Sequence, residues 1–283
     1  MSSDNPLSKP KKRFPEIIWE EQTPASGIYF RAKKWLHQEK SAFQKIEIIE
    51  NETYGRVLLL DGLVQTTEAD EFFYHEMLVH PALHAHPAPE QVLIIGGGDG
   101  GAHREVLKHQ IKKVLMVEID ERVVEVAKKF FPWLEPALRD SRAELRIADG
   151  KDFVGTTQQK FDVILVDSSD PVGPSAVLHQ QEFFSSLKKI LRPRGIIAAQ
   201  SGSAIFHHEN VRLKRRFLEP MFRYVHFYLG PVPTYPGGLW CYVFLSDRIN
   251  PLRGPAKPVL SGLKYYSRAI HRASFSLPPF LNP

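Results

Sequence analysis

The stretch VLIIGGGDGG, residues 92–101, decides the fold of this chain. Its first four residues are all apolar, which is typical of a parallel strand that is covered on both faces of a sheet. The glycines that follow allow a tight turn and a close approach of a ligand to the backbone. Segments with helical periodicity then alternate with four more apolar strand patterns, namely VLMVEID (114–120), AELRIADG (143–150), FDVILVD (161–167) and GIIAAQS (195–201). This alternation predicts an α/β fold with a Rossmann-like, doubly wound sheet.

The region before this stretch has a different periodicity. Residues 28–67 alternate between apolar and polar positions, which indicates a small antiparallel β unit. Residues 69–86 have a helical pattern instead. We therefore divide the chain into a flexible tail (1–15), an N-terminal β domain (16–69), a Rossmann-like catalytic domain (70–247) and a basic, proline-rich C-terminal extension (248–283).

The C-terminal extension carries the positive charge of the chain. The 283 residues include 37 basic and 32 acidic side chains, a net charge of +5, yet no Asp or Glu follows Asp247. Much of 251–283 is expected to be mobile because of its prolines, although Tyr265, Tyr266 and Ile270 could pack a short helix onto the body. A basic tail can bind nucleic acid, but the near-neutral body argues against a nucleic-acid partner.

The composition excludes several classes of protein. With 43% hydrophobic and 24% charged residues, the chain is ordinary for a globular protein. Its single cysteine, Cys241, excludes an internal disulfide framework and a cysteine-ligated metal cluster. The chain has no run of about 18 apolar residues and a polar, basic start, so we expect a cytoplasmic protein without a membrane segment. His84 and His86 lie beside prolines, and we do not interpret them as a metal site.

Carboxylates follow the predicted strands at the edge where an α/β sheet binds its ligands. Asp99 lies within the glycine loop, where it would repel a phosphate, and Glu118 lies where an acid usually accepts hydrogen bonds from ribose hydroxyls. Asp149 and Asp167 follow the next two strands. These positions fit a nucleoside with a cationic tail, such as an AdoMet-like sulfonium compound. The decarboxylated form of AdoMet fits better, because Asp99 would disfavour the carboxylate of AdoMet itself.

The turn DSSDPVGP, residues 167–174, places two carboxylates three residues apart. An ordinary Asx turn remains an alternative interpretation. At a strand end, however, Asp167 could accept a proton while Asp170 holds an ammonium group. An alkylammonium resembles lysine, with a pKa of about 10.4, so exposing its lone pair at pH 7 costs about 4.6 kcal/mol. Burial and a neighbouring sulfonium lower that pKa and make proton removal feasible.

Taken together, these motifs resemble the spermidine synthases, or polyamine aminopropyltransferases. The resemblance covers residues 27–246 and rests on GGGDGG with Arg104 and Glu105, VEID, DG, DSSDPVGP, LDGLVQTTEADEFFYHEML (60–78) and PTYPGGLW (233–240). It implies a sheet of the AdoMet-methyltransferase type. It also implies transfer of the aminopropyl group of decarboxylated S-adenosylmethionine to an amine, usually putrescine, which gives spermidine and 5′-methylthioadenosine. No cofactor or metal is implied, because the donor is a co-substrate and the leaving group is a neutral thioether.

The resemblance also implies site residues, which we carry over only where this chain matches the family's motifs. Asp167 would be the catalytic proton acceptor, and Asp99 would bind the aminopropyl ammonium. The amine would be bound by Gln65, Tyr74, His75, Asp99, Asp167, Asp170, Tyr235 and Trp240, and the nucleoside by Gln44, Gly96, Gly98, Glu118, Asp149, Gly150 and Pro174. The β unit would provide the contacts of a homodimer or homotetramer.

The chain departs from the family's pattern at two places. Phe43 lies where the family often has tyrosine, so one hydroxyl near the nucleoside is missing. VLHQQEFF (177–184) departs from the usual Leu-Phe followed by Phe-Tyr, and this departure leaves the acceptor amine open. Agmatine, cadaverine or spermidine could therefore take the place of putrescine. The rival functions are a polyamine N-methyltransferase that uses intact AdoMet, a catalytically silent polyamine sensor, and RNA binding through the basic tail, for which the affinity should fall steeply with salt.

Overall fold

The computed structural model describes residues 16–169 and 173–281. The predicted tail 1–15 and Asp170 lie outside the described residues. The described strands form a two-stranded hairpin, a four-stranded antiparallel sheet and a seven-stranded sheet.

The N-terminal β unit consists of the hairpin and the four-stranded sheet. Their strands are β1 (Glu16–Thr23), β2 (Ser26–Ala32), β3 (Lys34–Lys40), β4 (Lys45–Asn51), β5 (Gly55–Leu60) and β6 (Leu63–Thr67). Neighbouring residues of β4 point to opposite faces of the sheet. Ile48 therefore packs into the main core, whereas Ile49 packs with Phe30 beneath the hairpin. Because both faces are covered, β4 buries adjacent apolar residues.

The catalytic part alternates strands and helices, as predicted. Its elements are α1 (Glu71–Ala85), β7 (Gln91–Gly96), α2 (Gly101–Leu107), β8 (Lys113–Glu118), α3 (Glu121–Phe130), α4 (Leu134–Leu138), β9 (Ala143–Ile147), α5 (Gly150–Thr156), β10 (Phe161–Asp167), a 3-10 helix (Gly173–His179), α6 (Gln181–Lys189), β11 (Leu191–Ser203), α7 (His208–Leu218), β12 (Tyr224–Pro231) and β13 (Leu239–Ser246). The strand order is β12-β13-β11-β10-β7-β8-β9, and β13 runs antiparallel to both of its neighbours. The carboxyl ends of β7, β8 and β10 therefore lie side by side at one edge of the sheet.

Two helices begin at carboxylates that follow strands. The side chain of Asp120 accepts a hydrogen bond from the backbone N–H of Arg122 at 3.1 Å, and that of Asp149 accepts one from Lys151 at 2.7 Å. Such caps satisfy the free N–H groups of the first helical turn and fix where α3 and α5 start. None of the helices in the described ranges is long and apolar enough to cross a membrane.

The expectation that much of 251–283 is mobile is wrong for the part of it that the structure describes. The buried carboxylate of Glu76 on α1 accepts three backbone hydrogen bonds of 2.8 Å, from Lys264, Tyr265 and Tyr266. Tyr266 is 3% exposed, and the expected short helix follows as α8 (Arg268–Ser274). The prolines are tolerated because the N–H groups of this segment find an acceptor on the body of the protein.

Candidate active site

A cavity of about 200 Å³ lies between the four-stranded sheet and the carboxyl ends of β7, β8 and β10. The four predicted strand-end carboxylates, Asp99, Glu118, Asp149 and Asp167, all line it. The other predicted site residues along its walls are Gln44, Gln65, Tyr74, His75, Gly96, Gly98, Gly150 and Tyr235. Trp240 lines an adjoining pocket. Asp170 and the side chain of Pro174 lie outside the described part of the chain.

His75 supplies a positive charge to this cavity. Its Nδ1 lies 2.7 Å from Oε2 of Glu71, and its Nε2 lies 3.4 Å from Oδ2 of Asp99. Burial opposes protonation, but the carboxylates of Asp99 and Glu71 raise the pKa of His75 well above its usual value. The ring is therefore an imidazolium that holds Asp99 ionised at the mouth of the glycine loop. Arg104 donates a second hydrogen bond of 2.8 Å to Glu71.

Asp167 has one carboxylate oxygen engaged and one open. Oδ1 accepts a hydrogen bond of 2.7 Å from the hydroxyl of Tyr74. Oδ2 is buried and has no hydrogen-bond partner among the described residues. Burial raises the pKa of Asp167 to about 6, although His75 and Tyr74 act in the opposite direction. A buried carboxylate with a free lone pair and this pKa is better suited to accept a proton than an ordinary aspartate.

The glycine loop allows these groups to approach one another. Gly96 has a φ of +81°, and a Cβ there would lie 2.3 Å from the backbone oxygen of Asp167. At Gly101 a Cβ would lie 2.1 Å from the ring of His75. Only glycine lets the end of β7 and the start of α2 come this close to their neighbours.

The side of the cavity that is predicted to bind the nucleoside is built around Glu118. Burial raises the pKa of this carboxyl to about 7, despite hydrogen bonds from backbone N–H groups such as that of Asp120. Gly98 leaves room beside it, because a Cβ there would lie 3.0 Å from Oε2 of Glu118. Gln44 is fixed by a hydrogen bond of 3.0 Å from its amide to Oδ2 of Asp120. Near pH 7 the carboxyl of Glu118 can therefore accept or donate a hydrogen bond, which suits the recognition of two neighbouring hydroxyl groups.

An adjoining pocket extends the cavity past Tyr235. The two share Gln65, Tyr74 and Tyr235, and the pocket adds the predicted Trp240 together with Glu20 and Gln200, for which no role is predicted. Glu20 belongs to the hairpin, is 5% exposed, and accepts a hydrogen bond of 3.0 Å from the backbone of Val64. Gln200 ends the fifth predicted strand, so the order of the strands alone places it at the edge where ligands bind. No local signal marks Glu20.

Two family models match this chain and together span most of it. Residues 71–252 match the model described as the spermine/spermidine synthase domain, and residues 17–68 match the spermidine synthase tetramerisation domain. The chain belongs to the spermine/spermidine synthase family. The resemblance seen in the sequence and the assignment to the polyamine aminopropyltransferases are thereby confirmed.

Individual members of the spermine/spermidine synthase family match over nearly the whole chain. The polyamine aminopropyltransferase of Moorella thermoacetica is 44% identical over 93% of this chain and 95% of its own length. That of Shouchella clausii is 42% identical over 93% and 96%. A solved spermidine synthase in complex with the transition-state analogue AdoDATO has a TM-score of 0.91 at 37% identity, covering 96% of this chain and 95% of that one. Spermidine synthase from Thermotoga maritima has a TM-score of 0.88 at 36% identity, with coverage of 96% and 94%. The predicted Rossmann-like fold with an N-terminal β unit is confirmed.

His179, in the segment that departs from the spermidine synthase pattern, has specific partners. Its Nδ1 lies 2.9 Å from Nζ of Lys214 on α7, and its Nε2 lies 3.2 Å from Oγ of Ser168. Burial, with the charge of Lys214, lowers the pKa of His179 to about 3. The neutral ring can therefore accept a hydrogen bond from Lys214, and it links the 3-10 helix to the turn that follows Asp167.

Proposed function

We propose that this chain transfers the aminopropyl group of decarboxylated S-adenosylmethionine to putrescine, giving spermidine and 5′-methylthioadenosine. The observation that carries the proposal is that the four strand-end carboxylates, together with Asp61, surround one cavity. Among the described residues that line this cavity, His75 is the only basic one. Such a lining suits a donor with two positive charges and a slender polycation as acceptor.

The donor would lie with its nucleoside against Glu118 and its ammonium against Asp99. Glu118 would bind the ribose hydroxyls, and Gln44, Asp149 and Gly150 would surround the nucleoside. Asp99 favours the decarboxylated donor, because the carboxylate of intact AdoMet would meet a like charge. The same repulsion argues against the rival N-methyltransferase function.

In the proposed reaction the amine nitrogen attacks the methylene carbon next to the sulfonium. A C–N bond forms and the C–S bond breaks, and its electron pair stays on sulfur, which leaves as a neutral thioether. Before the attack, the substrate ammonium gives one proton to Oδ2 of Asp167, which frees the lone pair of the nitrogen, and the proton then passes to solvent.

The raised pKa of Asp167 makes this proton transfer easier. Between an alkylammonium of pKa about 10.4 and a carboxyl of pKa about 6, the mismatch is roughly 6 kcal/mol, compared with roughly 9 kcal/mol for an ordinary aspartate. Burial beside the sulfonium lowers the pKa of the amine and reduces the gap further. Orientation of the two substrates supplies the rest of the rate enhancement.

Putrescine is the proposed acceptor because the adjoining pocket offers a second carboxylate. Asp167 would accept the proton of the reacting amine, and Tyr235 and Trp240 would line the path of the carbon chain. Glu20, together with Gln200, would then face the distant ammonium group. Agmatine, cadaverine and spermidine are the alternatives.

The remaining features of the proposal concern cofactors, assembly and location. We propose that no metal or organic cofactor takes part, because the sulfonium charge already activates the leaving group. The match of residues 17–68 to a tetramerisation domain supports a homo-oligomer, and we propose a homotetramer. Trp19 and Tyr29, on the hairpin, are 65% and 49% exposed and would lie at a subunit contact. The cytoplasmic location and the lack of a nucleic-acid partner stay predictions.

A product assay by mass spectrometry tests the proposal. The protein is given decarboxylated AdoMet with isotope-labelled putrescine and unlabelled cadaverine, agmatine and spermidine in competition, and intact AdoMet replaces the donor in a parallel reaction. We expect labelled spermidine and 5′-methylthioadenosine in equal amounts from the first reaction. Methylated polyamines from the second reaction, or no product from either, would contradict the proposal.

The variant Asp99→Asn tests the placement of the donor. Loss of a hydrogen bond to a charged group, worth about 1.5–3 kcal/mol, should raise the KM for decarboxylated AdoMet about 10- to 100-fold. The affinity for 5′-methylthioadenosine, which lacks the aminopropyl group, serves as the internal control and should not change. An equal loss of affinity for both ligands would contradict this placement of the ammonium.

A further inference from the structure

A cluster of three buried histidines lies towards the other end of α1, outside the cavity. It consists of His80 and His84 on α1 and His109, which follows α2. One ring nitrogen of each lies within 4.8 Å of one ring nitrogen of the other two. His80 and His84 are fully buried and His109 is 2% exposed.

We propose that His80, His84 and His109 form a binding site for a borderline transition-metal ion such as Zn²⁺. A tetrahedral zinc ion with bonds of about 2.0–2.1 Å keeps its nitrogen ligands roughly 3.3 Å apart. Nδ1 of His80 lies 2.9 Å from Nε2 of His109. These two atoms need to separate by a fraction of an ångström, and the ring of His84 needs to turn towards them.

The second nitrogen of His80 has the partner that metal-bound histidines usually have. Its Nε2 lies 3.0 Å from Oε2 of Glu105, which is itself fully buried. A carboxylate in this position fixes the tautomer and orientation of the ring and leaves the lone pair of the opposite nitrogen for a metal ion. Here it directs Nδ1 of His80 towards the other two histidines.

His84 is the member of the cluster whose polar atoms are otherwise unexplained. Both of its ring nitrogens are buried without a hydrogen-bond partner in the described part of the chain. An unsatisfied buried group costs about 1–3 kcal/mol, and a metal bond would remove much of this cost. The ring stacks on Tyr266 of the C-terminal extension, with ring centres 5.4 Å apart and an interplanar angle of 7°. A metal at this position would join α1 to the segment that follows α2, and Tyr266 would cover the ring of one of its ligands.

The three imidazole donors favour a metal that binds nitrogen strongly. The charge of Lys257 acts on both His84 and His109 and opposes an added cation. Only strong metal–nitrogen bonds offset this repulsion. The site should accordingly prefer Zn²⁺, Co²⁺ or Ni²⁺ to Mg²⁺ or Ca²⁺, which favour oxygen ligands.

Titration of the full-length, metal-free protein with Zn²⁺ and Co²⁺ tests the site. The protein must carry no histidine tag, and binding is followed by calorimetry and by the visible absorption of Co²⁺. We expect one ion per chain and the intense absorption of a tetrahedral Co²⁺ complex. His84→Phe should abolish this binding, and Glu105→Gln should weaken it by about 10- to 100-fold.

Two control variants separate this site from other histidines. His103 on α2 is also fully buried with both ring nitrogens unpaired among the described residues, so His103→Phe is a matched change outside the cluster and should retain the ion. His75, Asp99 and Asp167 form a second group whose spacing could suit a metal ion. Because this group lies outside the histidine cluster, Asp99→Asn should also retain the bound ion. The proposal would be overturned if His84→Phe bound the metal ion as the parent does. It would also be overturned if Asp99→Asn were the only variant that lost the ion.

Discussion

The helix α1 has a histidine centre near each end, and the two differ in charge although both are buried. His75, near the start, lies between Glu71 and Asp99, and these carboxylates raise its pKa well above the usual value. His84, near the end, lies among other histidines, and burial lowers its pKa to about 3. The partners of a buried histidine therefore decide whether it is a cation or a neutral ligand.

The helix also presents two faces to different surroundings. Tyr74 and His75 line the cavity, whereas Glu76 on the adjoining face holds the C-terminal extension by three backbone hydrogen bonds. We expect the electrostatics around His75 to affect turnover. Those around His84 should affect stability and metal binding.

The largest expected effect is on turnover, in the first half of this comparison. Asp167→Asn removes the proposed proton acceptor and should lower kcat by about 10²- to 10⁴-fold. The affinity for 5′-methylthioadenosine, measured by calorimetry, should not change. Asp140→Asn, a partly exposed acid paired with Arg142, is the control and should keep full activity. Retained turnover in Asp167→Asn would show that another group accepts the proton.

Substituting the two histidines of α1 compares the two centres directly. His75→Phe leaves the buried carboxylates of Glu71 and Asp99 without their shared cation and should cost about 3–5 kcal/mol of unfolding free energy. His84→Phe removes two unpaired nitrogens, so in the presence of a chelator it should leave stability unchanged or increase it by about 1 kcal/mol. Urea unfolding at pH 8 measures both. If both variants lost similar amounts of unfolding free energy, the difference in charge between His75 and His84 would not determine their contributions to stability.

The pH dependence of unfolding sharpens the same comparison. The pKa of His84 is lower in the folded protein than in the unfolded chain, so its contribution to stability is intact above about pH 6.5 and is lost as the pH falls. Each such group lowers the unfolding free energy by up to about 1.4 kcal/mol per pH unit. We therefore expect His84→Phe to lose less stability than the parent between about pH 6 and pH 4.

The control for this pH experiment is His208→Gln, a partly exposed histidine next to Glu209. The unfolding free energy of His208→Gln should vary with pH in the same way as that of the parent. If His84→Phe also followed the parent, folding would not lower the pKa of His84.

The smallest expected effect is a shift in the pH profile of the reaction. With a pKa of about 6 for Asp167, kcat/KM should fall below about pH 6 as the base becomes protonated. Tyr74→Phe removes a hydrogen bond that stabilises the ionised carboxylate, so the midpoint of this fall should rise by about one pH unit. Identical pH profiles in the parent and in Tyr74→Phe would show that Tyr74 does not affect the ionisation of the proposed base, Asp167.

Features that depend on local order along the chain could be predicted from the sequence. The run FDVILVD predicts a strand over 161–167, and β10 has these bounds. Parallel strands end at one edge of a sheet, so the order of the strands is enough to place Asp99, Glu118, Asp149 and Asp167 around one cavity. The raised pKa of Asp167 does not follow from that order, because it depends on how deeply the folded protein buries the carboxyl.

Features that depend on distant segments could not be predicted. Glu20, on the hairpin, lines the pocket that adjoins the cavity, and His109 contacts His80 across 29 positions of sequence. The prolines and charges of the extension are typical of a solvated terminus. The carboxylate of Glu76 nevertheless holds the extension against the body of the protein. The first of its three partners, Lys264, lies 188 residues later in the sequence. Each of the contacts made by Glu76 and His80 is decided by how α1 packs in the folded protein.

The anchoring of the extension by Glu76 has a practical consequence for truncation of the protein. Removing residues 248–283 would leave a buried carboxylate with no donor in its place, one residue from His75. A shortened chain would therefore lose activity through damage to α1, and such a loss would say nothing about whether the tail meets RNA. A charge-neutral tail with its backbone intact is the appropriate reagent for that question.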